Sequence, residues 1–138
     1  EPRIPKGKDS RVTRKVLLAT VQDDIHEIGK NLVGTMLTAS GFEVIDIGVN
    51  QPCESILKKA KEIDAAVVGV SALMTTSMPR MRELIDTASG HGARDLHQFI
   101  VGGAPVTEQY AKDIKSDGTA GDASGAVKLV HVLVGDER

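Results

Sequence analysis

Aromatic residues are almost missing from this chain: two Phe, one Tyr and no Trp among 138 residues, 2% in all. A platform that stacks single-stranded bases needs aromatic faces, so that class is excluded. A basic surplus is missing too. The net charge is -2 and the pI about 6.1, which leaves no electrostatic footprint for nucleic acid. Cys53 is the single cysteine, so the chain has no internal disulfide and suits a reducing cytoplasm. No apolar run approaches the roughly 20 residues that cross a bilayer. No signal-peptide pattern is present. Residues 1–14 open with a polar stretch carrying Pro2 and Pro5, and read as a linker or tail of the kind that joins an upstream domain. Gly-x-Gly-x-x-Gly and Walker A patterns are both lacking, which argues against a phosphate cradle.

What is present is ordinary globular composition, 41% hydrophobic and 26% charged. The length fits one domain, placed at residues 15–138. Apolar runs alternate with helical periodicity along its whole length. Residues 15–21 and 65–71 are nearly all apolar, as strands covered on both faces are. Residues 43–48, 99–103 and, weakly, 118–121 add three more strands. Leu32, Val33, Met36 and Leu37 repeat at helical spacing, with Gly41 as a stop. Further helices are expected at 52–63, 77–89, 107–114 and 122–133, with Pro52 in a first turn and Thr107 as a cap. Five strands alternating with five helices predict a doubly wound, flavodoxin-like (Rossmann-like) α/β fold. Its parallel sheet takes the order 2-1-3-4-5.

In such a sheet ligands bind at the carboxyl edge. The turn after the first strand holds Asp23, Asp24, Ile25 and His26. A carboxylate two positions from an imidazole can fix its tautomer and strengthen it as a metal ligand. The pattern points to His26 ligating a metal, held by Asp24. Asp24 as a helix cap is the plainer alternative. The third turn begins Ser71-Ala72-Leu73-Met74-Thr75-Thr76-Ser77, the fourth is Gly102-Gly103-Ala104-Pro105, and the fifth is Gly121-Asp122-Ala123. Small residues and hydroxyls in three turns suggest a deep slot between strands and helices. Ser77 is explained equally well as a cap of the third helix.

The order Asp24-x-His26-x-x-Gly29, Ser71-x-Leu73, Gly102-Gly103 resembles the signature of cobalamin-binding domains, and the intervals between the three pieces match. Glu27-Ile28-Gly29-Lys30-Asn31-Leu32-Val33 and Asp46-Ile47-Gly48-Val49 are similar to the corrinoid modules of methyltransferases, methionine synthase included. The resemblance implies a corrinoid bound base-off and His-on, with its nucleotide tail in the slot and His26 beneath cobalt. It implies that Asp24 and Ser77 form a relay to that histidine. It counts Asp23, Asp24, Ile25, His26, Gly29, Ser71, Leu73, Thr75, Gly102, Gly103 and Ala123 as cofactor-binding positions. It further implies a cytoplasmic methyl-carrier subunit passing a methyl group from a donor methyltransferase to an acceptor methyltransferase, whose acceptor is tetrahydrofolate or a thiol. Neither nucleic acid nor membrane is an expected partner. The cobalamin domain of a radical mutase and a cobalamin-based sensor are the alternatives. A phosphoreceiver would need an Asp at the third strand's end and a Lys at the fifth's, where this chain has Ser71 and Gly121-Asp122.

Overall fold

The structure is a computed structural model, and it describes residues 14–22 and 28–135. Five parallel strands run β1 (Lys15–Thr20), β2 (Glu43–Asp46), β3 (Val67–Ser71), β4 (Gln98–Gly102) and β5 (Gly118–Thr119). Helices α1 (Ile28–Ala39), α2 (Cys53–Ile63), α3 (Pro79–Gly90), α4 (Glu108–Asp113) and α5 (Ala123–Leu133) alternate with them. The order across the sheet is β2-β1-β3-β4-β5, the flavodoxin-like order that alternation and short crossovers predict. No helix among the described residues is long and apolar enough to cross a membrane.

The apolar runs are the central strands, because both of their faces must be covered. Along β1, Leu17 and Ala19 join one core, with Ile56 of α2 and Leu84 of α3. Val16 and Leu18 join the other, with Leu37 of α1 and Val127 and Val130 of α5. The sheet thus carries α2, α3 and α4 on one face and α1 and α5 on the other. Registers Leu18↔Gly69 and Gly69↔Ile100 put a glycine between two branched side chains on the α1/α5 face.

Several boundaries differ from the sequence reading by one or two residues, two of them for a clear local reason. β2 stops at Asp46 because the chain turns: Asp46 Oδ1 accepts from the Gly48 N–H at 2.8 Å, and Gly48 has φ +101°. α3 begins at Pro79, since residues 74–78 first make tight turns through Ser77 N–H to Met74 O and Met78 N–H to Thr75 O. A short 3-10 helix, Arg94–Leu96, precedes β4. Caps fall where their side chains predict: Thr107 Oγ1 accepts from Tyr110 N–H at 3.0 Å, and Asp122 Oδ1 from Gly125 N–H at 2.7 Å.

Candidate functional site

Beyond the strands' carboxyl ends the ladder continues for one step. Val21 N–H donates to Ser71 O and Ala72 N–H to Gly102 O, both at 3.1 Å. This keeps the β3 and β4 turns side by side. Below them, on the α1/α5 face, lies a cleft of about 650 Å³. Leu18, Gly69 and Ile100 form its sheet wall; Val33 of α1 and Ala126 and Leu129 of α5 form the opposite one. At the sheet wall Leu18 and Ile100 lean over Gly69 from either side: a Cβ there would meet Leu18 Cδ2 at 3.0 Å and Ile100 Cγ1 at 3.3 Å.

Six expected site residues come together here. Gly29, Ser71, Leu73, Gly102, Gly103 and Ala123 all line the cleft. Thr75 is exposed in the turn before α3 and is not among the lining residues. Ser77 is fully buried, and its hydroxyl donates to Met74 O at 2.9 Å, the bond expected of a turn-stabilising serine. Asp23, Asp24, Ile25 and His26 lie outside the described residues. The described chain halts at Gln22 and resumes with α1, whose second residue, Gly29, is at the cleft.

The glycines here do different things. Gly103 has φ +121°, and a Cβ on it would sit 1.8 Å from Ala72 O. It is a point of backbone-on-backbone contact between two turns. Gly29, Gly102 and Gly121 would meet nothing within 4 Å. They have ordinary φ and no packing need to be glycine, so what they preserve is open space. A cradle of this kind, apolar and kept clear by glycines, fits the inserted tail of a large cofactor.

Among the described residues, the polar side chains around the cleft are few and already engaged. Ser71 Oγ lies 3.2 Å from Thr20 Oγ1, and either can donate. Lys30, with a side chain only 2% exposed, runs its stem along the cleft and ends in an ion pair with Asp46 Oδ2 at 2.5 Å. Asp46 also holds Gly48, so this pair ties the first turn of α1 to the turn after β2. Lys30, Val33, Gly69, Ile100 and Leu129 were not anticipated as site residues. Only Gly69 carried a signal, since a glycine inside an apolar strand marks a close approach.

On the far face the turn before α3 is fastened by Tyr110, whose hydroxyl donates to Met78 O at 2.6 Å and is pushed above its ordinary pKa by burial. Cys53, buried at the start of α2, has its thiol pushed from 9.0 up to about 12, by burial first and then by the charges of Glu83 and Glu54. A thiol is nucleophilic only as thiolate. Iodoacetamide at pH 8 should therefore leave Cys53 unmodified in the folded chain and alkylate it after unfolding; mass spectrometry reads the difference. The linkage sign also follows. The unfolded chain loses this proton first, so the contribution of Cys53 is intact below about pH 9 and falls as pH rises toward 12. Among the described residues no group of three or more His, Cys, Asp or Glu is placed to hold a metal ion.

Comparison with known proteins agrees with this geometry. Residues 14–130 match the family described as B12 binding domain. Corrinoid protein DSY3155 of Desulfitobacterium hafniense is 40% identical over 137 residues, which is 98% of this chain and 63% of that protein. Dimethylamine corrinoid protein 1 of Methanosarcina mazei is 42% identical over 136 residues, again 98% of this chain and 63% of that protein. The chain thus spans about 63% of the length of these curated relatives. A solved cobalamin-binding protein of Desulfitobacterium hafniense is similar with TM-score 0.85 and 38% identity, over 88% of this chain and 59% of that one. The methanol:cobalamin methyltransferase complex MtaBC of Methanosarcina barkeri contains a chain similar with TM-score 0.83 and 26% identity, over 94% of this chain and 51% of that one.

Proposed function

Since this chain belongs to the B12 binding domain family, we propose that it holds a corrinoid base-off and His-on, and carries a methyl group on its cobalt between two methyltransferases. The observation that supports this best is the cleft, with the glycines at its lining that no packing or backbone constraint requires. Residues 15–138 form the cobalamin domain on this reading, and 1–14 the linker. His26 would ligate the cobalt, and Asp24 would accept from the imidazole's other ring nitrogen. Cobalt in a corrin already has its ring nitrogens, so a single side chain suffices where an isolated metal would need a cluster. When bound, the corrinoid supplies the methyl-transfer chemistry itself.

The chain's own residues orient and enclose. Ser71 can donate to the lower base, with Thr20 steadying its hydroxyl. Leu73, Gly102, Gly103 and Ala123, which line the cleft, would border the tail, and Gly29 would give it room beside α1. The family resemblance would assign Thr75 to contact with the corrin or its tail and Asp23 to the ring. Ser77, whose hydroxyl now donates to Met74 O, would complete the relay if it exchanged that bond for one to Asp24, and a proton could then be held near His26. The donor protein is a methyltransferase for a methylamine or methanol, as the names of similar proteins suggest. The acceptor protein passes the methyl group to tetrahydrofolate or a thiol. The cytoplasm is the compartment that fits a lone buried thiol.

Reconstitution with cobalamin tests the reading. The wild type should retain the cofactor with a His-on absorption spectrum. His26→Ala should lose that spectrum. Identical spectra for the two proteins would refute axial ligation by His26.

A further inference from the structure

We infer that the cleft selects the lower base of its corrinoid, favouring a benzimidazole over an adenine. This rests on the base-off reading above and deepens it. The depth of the cleft is built from Leu18, Gly69 and Ile100 on the sheet side and Val33, Ala126 and Leu129 on the helix side. None of these side chains bears a polar atom. Their backbones are also committed. Leu18 is paired with Asp46 and Gly69, Gly69 with Leu18 and Ile100, and Ile100 with Gly69 and Gly118. Each of the three is flanked by strands on both sides, so its N–H and C=O belong to the ladder. Val33, Ala126 and Leu129 lie in helices whose backbone bonds are internal.

Among the described residues, the polar side chains at the cleft are three. Lys30 is turned to Asp46, Asp122 accepts from Gly125, and Ser71 stands at the mouth beside Thr20. In the depth of the cleft no described side chain can pair with a base, and at its mouth one hydroxyl can satisfy one ring nitrogen. A benzimidazole released from cobalt exposes one nitrogen lone pair; the rest of its edge is carbon. An adenine exposes an amino group and further ring nitrogens, all hydrated outside the protein. Each polar group buried without a partner costs roughly tenfold in affinity. The methyl groups of dimethylbenzimidazole, by contrast, gain from the apolar wall.

The test is a titration of the whole chain with cobalamin and, separately, with adeninyl cobamide. Binding is followed by equilibrium dialysis and by the His-on absorption band. Cobalamin should bind at least about tenfold more tightly. Leu129→Gln places an amide against the cleft on a helix that accepts glutamine, and should narrow the preference between the two cobamides by about threefold or more. Circular dichroism checks that this variant is folded. Equal affinities with His-on spectra for both cobamides, or a preference for adenine, would overturn the selectivity and leave His-on binding standing. Retention of neither cobamide by the wild type would overturn the selectivity together with the base-off reading. If Leu129→Gln is folded and its preference is unchanged, the apolar wall is not the selector.

Discussion

Gly103→Ala is expected to destabilise the fold by about 3 kcal/mol or more, among the larger single-residue effects this chain can show. Two separate costs add. The residue sits at φ +121°, where a side chain is strained by about 1–2 kcal/mol. The new Cβ would also fall 1.8 Å from Ala72 O and 2.8 Å from Ala72 C. Those are backbone atoms, so no rotamer change relieves the clash; the two turns must separate. Separation stretches the 3.1 Å bond from Ala72 N–H to Gly102 O, which adds about 1 kcal/mol. Ala72 is buried, so water does not replace the bond. Urea melts of the two proteins measure the difference. A loss below about 1 kcal/mol would contradict the contact between the β3 and β4 turns.

The architecture was legible because the burial pattern is written directly into the chain. Residues 65–71 are apolar at nearly every position, as a strand covered on both sides is, and β3 (Val67–Ser71) takes up most of that run. Strand order followed from alternation. Boundaries were less legible where side chains rewrite them: the Asp46 carboxylate turning the chain at Gly48, and tight turns delaying α3 to Pro79. The upper part of the site was readable by resemblance. Ser71, Leu73, Gly102, Gly103, Gly29 and Ala123 meet at one cleft, as that signature implies. Its depth was not readable. The Leu18–Gly69–Ile100 furrow depends on the registers of three strands, which no local window contains. Lys30 was hidden for a different reason. Lysine is almost never buried unless paired, and its partner Asp46 comes from another element. His26 and Asp24 were read from their motif alone.

Gly102→Leu should give the opposite outcome to its neighbour: a folded protein that no longer retains a corrinoid. Gly102 ends β4 in register with Ser71, two positions from Ile100, so its open side faces the cleft. Its φ lies outside the left-handed region, and a Cβ there meets nothing within 4 Å. Neither backbone nor packing asks for glycine. A glycine in a strand costs about 0.5–1 kcal/mol of backbone entropy, so leucine should leave stability unchanged or raise it by that amount. On the base-off reading the added side chain would occupy the space of the nucleotide tail, and a rigid sheet cannot yield it. Cobalamin affinity should fall at least about 100-fold, equivalent to roughly 2.7 kcal/mol, and the His-on band should vanish at cofactor concentrations that saturate the wild type. Equilibrium dialysis and a urea melt on the same sample read both halves. Unchanged affinity would mean that the tail does not pass Gly102. A large loss of stability would mean that the space beside it is filled by the protein itself. Two adjacent glycines thereby separate the two demands on this edge of the sheet, one holding turns together and one keeping a path clear.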